Sequence, residues 1–196
     1  MKKFFILVTF LIIALSNISK ANSIEADVFV QSTVNRASEA LNNRFSKEEK
    51  IEKLKNIAKE TVDIRGIGYY TLGAYRKSIT EDQIRKYETL FDQYFLKSFA
   101  SRLAEYSNPE IEVTSKKELN KNYTMVSSIL VATEKRPEVK INWRVYTKNS
   151  DNPLIRDLII EGLSLARTQK EEFSSIIQSN DGDINALFST LENFIN

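Results

Sequence analysis

TEDQIRKYETLFDQYFLKSFASRLAEY, residues 80–106, is the stretch on which the fold turns. Ile84, Tyr87, Phe91, Tyr94, Phe95, Phe99, Leu103 and Tyr106 recur at steps of three and four, the period of one helix face. Thr80 with Gln83 three residues later forms the pattern of a capping box, in which each side chain satisfies a free backbone N–H at the helix start. Ser107-Asn108-Pro109 ends the run. A helix over these residues is roughly 39 Å long. Its apolar face is mostly aromatic, so it serves equally as the wall of a packed core or of a wider space.

Upstream, residues 22–65 contain neither Gly nor Pro and read as helical. Val28, Phe29, Ser32, Val34 and Leu41 form an imperfect apolar stripe. Ser46 with Glu49 predicts a second capping box, opening a helix that turns Ile51, Leu54, Ile57, Ala58, Val62 and Ile64 inward. Its opposite face, with Lys47, Glu48, Lys50, Lys53, Lys59 and Glu60, reads as solvated. The segment 64–78 holds Gly66, Gly68 and Gly73, three of the five glycines. Their spacing fits neither a dinucleotide loop nor a phosphate-binding loop, so they predict a short helix that closely approaches a neighbour.

Past Pro109 the period changes to two. Strands are expected at 110–117, 123–133, 138–146 and 154–163, with turn residues between them. The third is the clearest: Val139, Ile141, Trp143 and Val145 alternate with Lys140, Asn142, Arg144 and Tyr146, as in an antiparallel sheet wet on one side. Two helices follow, over 165–178 and 184–194, the second capped by Asp183. Helices, then strands, then helices predict an α+β fold, with helices packed on one face of a four-stranded antiparallel sheet and enclosing an apolar pocket.

The chain begins MKKFFILVTFLIIALSNISKA. Two lysines, a twelve-residue apolar run and Ser19-Lys20-Ala21 have the layout of a cleaved export signal. The expectation is cleavage after Ala21, leaving a single domain over 22–196. Without Lys2, Lys3 and Lys20 the chain has 25 basic and 26 acidic side chains, a net of about −1 that offers no electrostatic footprint for nucleic acid. There is no cysteine, so neither a disulfide framework nor a lipidated cysteine is available. With no histidine either, the commonest general base and the ligands zinc prefers are missing. Asp157 and Glu161, on one face of the expected fourth strand, lie roughly 13 Å apart, too far for a glycosidase-type pair. Asp181, Asp183, Asn185 and Glu192 mimic a calcium-loop register, but Ala186 stands where the loop needs glycine, so no metal site is expected. No catalytic residue, metal or cofactor is assigned.

Several pieces in order resemble the MlaC family of Mla-pathway phospholipid-binding proteins, also called toluene-tolerance proteins. They are Leu72-Gly73 followed by Tyr75-Arg76, the aromatic helix, Asp157 with Glu161-Gly162-Leu163-Ser164, and Thr168-Gln169 before Phe173. The resemblance implies a non-enzymatic periplasmic carrier shuttling phospholipid between an outer-membrane lipoprotein–porin complex and an inner-membrane ABC-type transporter complex. The expected lipid-binding residues are Leu72, Tyr75, Phe91, Tyr94, Phe95, Phe99, Ile141, Trp143, Val145 and Leu163, with the Phe91–Phe99 wall facing Ile141, Trp143 and Val145. An exported adapter or chaperone with a solid core and no lipid is the other class left open.

Overall fold

The computed structural model describes residues 24–134 and 136–196; the expected export signal and its expected cleavage point lie outside them. Four helices come first: α1 (Ala26–Ala40), α2 (Lys47–Thr61), α3 (Ile64–Leu72) and α4 (Glu81–Leu103), with a 3-10 turn at Gly73–Lys77 before α4. A meander of strands follows: β1 (Ile111–Asn120), β2 (Tyr123–Leu130), β3 (Val139–Tyr146), β4 (Leu154–Ile160) and β5 (Leu163–Ser164). Helices α5 (Leu165–Gln178) and α6 (Ile184–Ile195) end the chain. Every strand pairs antiparallel with its sequence neighbour, in the order β1-β2-β3-β4-β5. Among the described residues, no helix is long and apolar enough to cross a membrane.

The fold class is the α+β arrangement expected, with five strands rather than four. The expected strand over 154–163 breaks at Glu161-Gly162, where φ is 48° and 86°. Two successive left-handed residues are what a two-residue hairpin turn requires, because its twist then matches that of the strands. Leu163 and Ser164 therefore fold back on Ile160 and Ile159.

Local signals explain the helix starts. Both capping boxes form, Ser46 with Glu49 on α2 and Thr80 with Gln83 on α4. Asp63 caps α3 through Gly66, Ser164 caps α5 through Arg167, and Asp183 caps α6 through Asn185. Asp183, the centre of the apparent calcium register, is thus spent on a helix start.

Apolar packing divides among three clusters. The helical cluster gathers α3, α4, α5 and α6, with Tyr87, Phe91, Phe173 and Phe188 at its centre. The sheet cluster places Ala26, Val30 and Val34 of α1 on Val126, Ile141, Trp143, Val145 and Ile155. A third joins the end of α1 to α2 and α4 through Leu41, Leu54, Ala100 and Ala104. The small side chains in the α1 and α4 contacts allow close helix approach. Gly68 does the same for α3 and α4: a Cβ there would lie 2.9 Å from Phe91 Cδ1.

Tyr87 is the largest fully buried side chain and carries a polar atom. Thr71 gives its proton to the Gly68 carbonyl at 2.9 Å, so the Tyr87 hydroxyl donates to Thr71 Oγ1, 2.8 Å away. Burial pushes the Tyr87 phenol well above its ordinary value near 10, against the smaller opposing effect of the Thr71 hydrogen bond. Above that ordinary value the unfolded chain ionises Tyr87 while the folded chain does not. Stability is therefore lost as pH rises past about 10. In urea titrations between pH 7 and 10.5, the wild type is expected to lose more stability than Tyr87→Phe, which at pH 7 costs about 1 kcal/mol. Parallel losses in the two proteins would refute this role for Tyr87.

Candidate functional site

Along α4 the rings form a ladder. Phe91 stacks on Tyr87 at 5.6 Å and meets Phe173 of α5 edge-on at 6.2 Å. Phe95 follows Phe91 at 6.1 Å, and Phe99 lies parallel to Phe95 at 5.6 Å and 9°. Tyr94 turns to the other side, 4.9 Å from Phe194 and 5.7 Å from Phe173, and donates its hydroxyl proton to Gln169 Oε1 at 2.9 Å. Phe91 is buried, whereas Tyr94, Phe95 and Phe99 are only half-buried. The deeply buried positions in this half of the helix are Leu96, Ala100 and, just past its end, Ala104. These face α1, α2 and the helical core from another side of α4.

Leu72, buried, and Tyr75, half-buried, pack into the same helical cluster as the ladder. Six of the ten expected site residues are thus brought together. Ile141, Trp143 and Val145 are buried on one sheet face as expected, but α1 covers them rather than the wall on α4. Trp143 can lie there because its indole N–H donates to Ser128 Oγ at 2.8 Å, leaving no buried donor unpaired. Leu163, 58 % exposed in the turn-back strand, belongs to neither group. Contrary to the sequence expectation of one wall facing the other, ladder and strand face pack in separate clusters. Val62, at the end of α2, is the one hydrophobic residue shared by the helical and sheet clusters among the described residues.

Two open grooves adjoin these clusters. One of about 500 Å³ runs between α3 and α4 over Ile64, Gly68, Tyr87 and Phe91. Arg65 borders it, donating to Glu88 at 2.8 Å and to Tyr69 at 3.0 Å. Hydrogen bonds from Tyr69 and then Arg65 outweigh desolvation and hold the Glu88 carboxyl below the usual range. The other, about 570 Å³, lies between α1 and β1 and has a largely polar lining that includes Gln31, Asn35 and Glu112. Neither is the enclosed pocket expected.

Two polar centres have roles that no sequence pattern announced. Asp157, 4 % exposed, accepts from Ser164 Oγ at 2.7 Å and Ala166 N at 3.0 Å, and pairs with Arg144 at 3.7 Å. It is an anchor for the start of α5, and its partner Glu161 instead accepts from the Lys140 backbone N–H at 2.5 Å. Arg156 donates to Asp63 and to the Tyr123 hydroxyl, each at 2.6 Å. Asp157 stood out in the sequence as a charge within an apolar strand and as a piece of the family resemblance, but neither signal named its partners; Arg156 and Asp63 carried no signal beyond a charge in a strand and at a helix start. Among the described residues no group of three or more Asp or Glu is gathered as a metal site.

Compared with known families, residues 31–193 match the model of the MlaC protein. The chain belongs to the MlaC family. A solved structure similar to this MlaC-family chain is the phospholipid-binding protein from Ralstonia solanacearum, determined in complex with a phospholipid. The two share 17 % identity over 88 % of this chain and 97 % of the other, with a TM-score of 0.73. At that identity the likeness is one of fold.

Proposed function

We propose that this protein is a periplasmic phospholipid carrier that binds acyl chains without covalent or metal chemistry and passes lipid between outer- and inner-membrane transport complexes. The observation that carries the reading is the half-buried Phe95–Phe99 ladder, in a helical core that shares Val62 with the sheet core, in an MlaC-family fold. The similar Ralstonia solanacearum protein, solved with a phospholipid, supports the ligand class. Each methylene moved from water into an apolar site contributes about 0.8 kcal/mol, so two long acyl chains need shielding worth roughly 20 kcal/mol to cross an aqueous space. Aromatic faces and aliphatic side chains supply that shielding at small conformational-entropy loss. The chains lie against Phe91, Tyr94, Phe95 and Phe99, with Leu72 and Tyr75 behind them. The head group stays near solvent.

Native mass spectrometry of protein exported to a bacterial periplasm tests this. The expected species begins at Asn22 and carries one diacyl phospholipid that organic solvent removes. Protein that is only lipid-free would overturn the carrier reading and favour an adapter.

A further inference from the structure

The half-covered side of α4 does not end at Phe99. Arg102 follows Phe95 by seven residues and Ser98 by four, which puts it on the same side of the helix, about 10 Å beyond Phe95 along the axis. Its side chain is exposed. Burial raises the Tyr94 phenol and the Glu172 charge adds to the rise, while the Arg102 charge opposes both, so this guanidinium is felt at the ladder. Tyr106, also exposed, continues that side past the helix end, its N–H donating to the Leu103 carbonyl at 3.0 Å. The loop between β2 and β3 comes to the same place. Val131 N–H donates to the Glu110 carbonyl at 2.9 Å, and Thr133 and Arg136 exchange backbone hydrogen bonds of 2.8 and 3.2 Å. This turn holds the Arg136 guanidinium over the Tyr106 ring, 5.4 Å from its centroid. Arg136 Nη2 reaches the Val131 carbonyl only at 3.4 Å, and Arg136 Nε is buried with no hydrogen-bond partner. A buried donor left unmade forfeits its hydration, so such an atom calls for an explanation. Among the described residues neither arginine forms an ion pair. The acid nearest Arg102 in sequence, Glu105, is taken by Lys47 at 2.5 Å.

We propose that Arg102 and Arg136, gathered about Tyr106, form a phosphate subsite at the open end of the aromatic ladder that takes the phosphodiester of the carried lipid. This rests on the carrier reading and names the chemical group by which the ligand is told apart. A guanidinium matches a pair of phosphate oxygens with two parallel N–H groups, and such charge-assisted bonds are the strong ones. The phosphodiester is the part that every glycerophospholipid shares, whatever alcohol it carries. The two arginines therefore separate phospholipids from uncharged diacyl lipids without reading the alcohol. They also give the ligand a direction, with its chains toward Phe91 and its phosphate toward Arg102. Arg102 lies in solvent and Arg136 is partly covered, so the phosphate is bound at the surface while the chains are not.

The test offers exported wild type, Arg102→Gln and Arg136→Gln two labelled lipids in the same phosphatidylethanolamine–phosphatidylglycerol vesicles. One is a phospholipid and the other a diacylglycerol, each fluorescent on one chain with its own dye. Any effect of a substitution on approach to the vesicle is then shared by both labels. Wild type is expected to take up phospholipid in preference to diacylglycerol. Each variant is expected to lose roughly tenfold of that preference with diacylglycerol uptake unchanged, which also reports an intact apolar site. Arg102, being exposed, supplies a folded variant should Arg136→Gln fail to fold. Folded variants that keep the wild-type preference would overturn the subsite and leave the carrier intact, as would a wild type that takes up both labels equally. Inorganic phosphate titrated into lipid-stripped wild type is expected to bind only in the millimolar range, without chains to anchor it. Micromolar saturation that bound lipid leaves unchanged would assign the two arginines to a free anion and overturn the lipid subsite. Wild type that takes up neither label would overturn the carrier reading and the subsite with it.

Discussion

Phe95→Asp protein, exported and folded, is expected to lose most of the phospholipid that the wild type carries. Phe95 lies between Phe91 and Phe99, with ring centroids 6.1 and 5.6 Å away, and is half-buried. A carboxylate there meets aromatic faces and acyl methylenes and finds no partner. Leaving such a group unpaired in an apolar site costs at least several kcal/mol unless it takes up a proton. At about 1.4 kcal/mol per factor of ten, affinity should fall on the order of 100-fold. Phe95→Leu keeps the apolar surface and should keep most of the lipid. Occupancy is read by native mass spectrometry and integrity by circular dichroism. Folded Phe95→Asp with wild-type lipid content would move the acyl chains away from the ladder, for instance to the groove between α1 and β1.

The largest stability effect is expected at Asp157, outside the lipid-contacting surface. Its carboxylate receives the Ser164 hydroxyl, the Ala166 backbone N–H and the charge of Arg144. Asp157→Ala leaves the Ala166 donor buried without a partner and frees Ser164, which itself caps α5 through Arg167 N at 3.1 Å. Breaking a buried charge cluster of this kind costs about 3–5 kcal/mol, a large part of the stability of a small domain. The urea midpoint should fall accordingly. Asp157→Asn, which keeps an acceptor oxygen, should recover part of the loss. A drop in Asp157→Ala of less than about 1 kcal/mol would place the energy of this junction elsewhere.

The parts of the fold that were legible are those decided by a local rule. Thr80 and Gln83 place the start of α4, and Ser46 and Glu49 that of α2, because a capping box satisfies its own backbone. The alternation through Ile141, Trp143 and Val145 marks a buried strand face for an equally local reason. What covers that face is a matter of tertiary packing, and there the expected partner was wrong. Helix α1 was hard to read because the stripe that meets the sheet is narrow, Ala26, Val30 and Val34, while Val28 is 61 % exposed. On α4 the aromatic period drew attention from Leu96 and Ala100, buried because neighbours surround this helix on more than one side. The hairpin at Glu161-Gly162 did carry a signal, a polar residue before glycine between apolar runs, but the apolar character of Leu163 masked it. Arg156 and Asp63 are far apart in the chain, and no local spacing announces their pairing.

The covering of the sheet by α1 has a consequence for how the chain acquires its shape. Val30 and Val34 leave water only when Val126, Trp143 and Ile155 are present to receive them. During synthesis α1 is made well before its partners in β2, β3 and β4, so this helix must wait with its apolar stripe uncovered while α2, α3, α4 and the strands are completed. The β-meander, whose pairings are all between consecutive strands, can close by short loops ahead of that event. Docking of α1 is then a late step of long sequence separation, bringing an early helix onto a sheet surface already assembled.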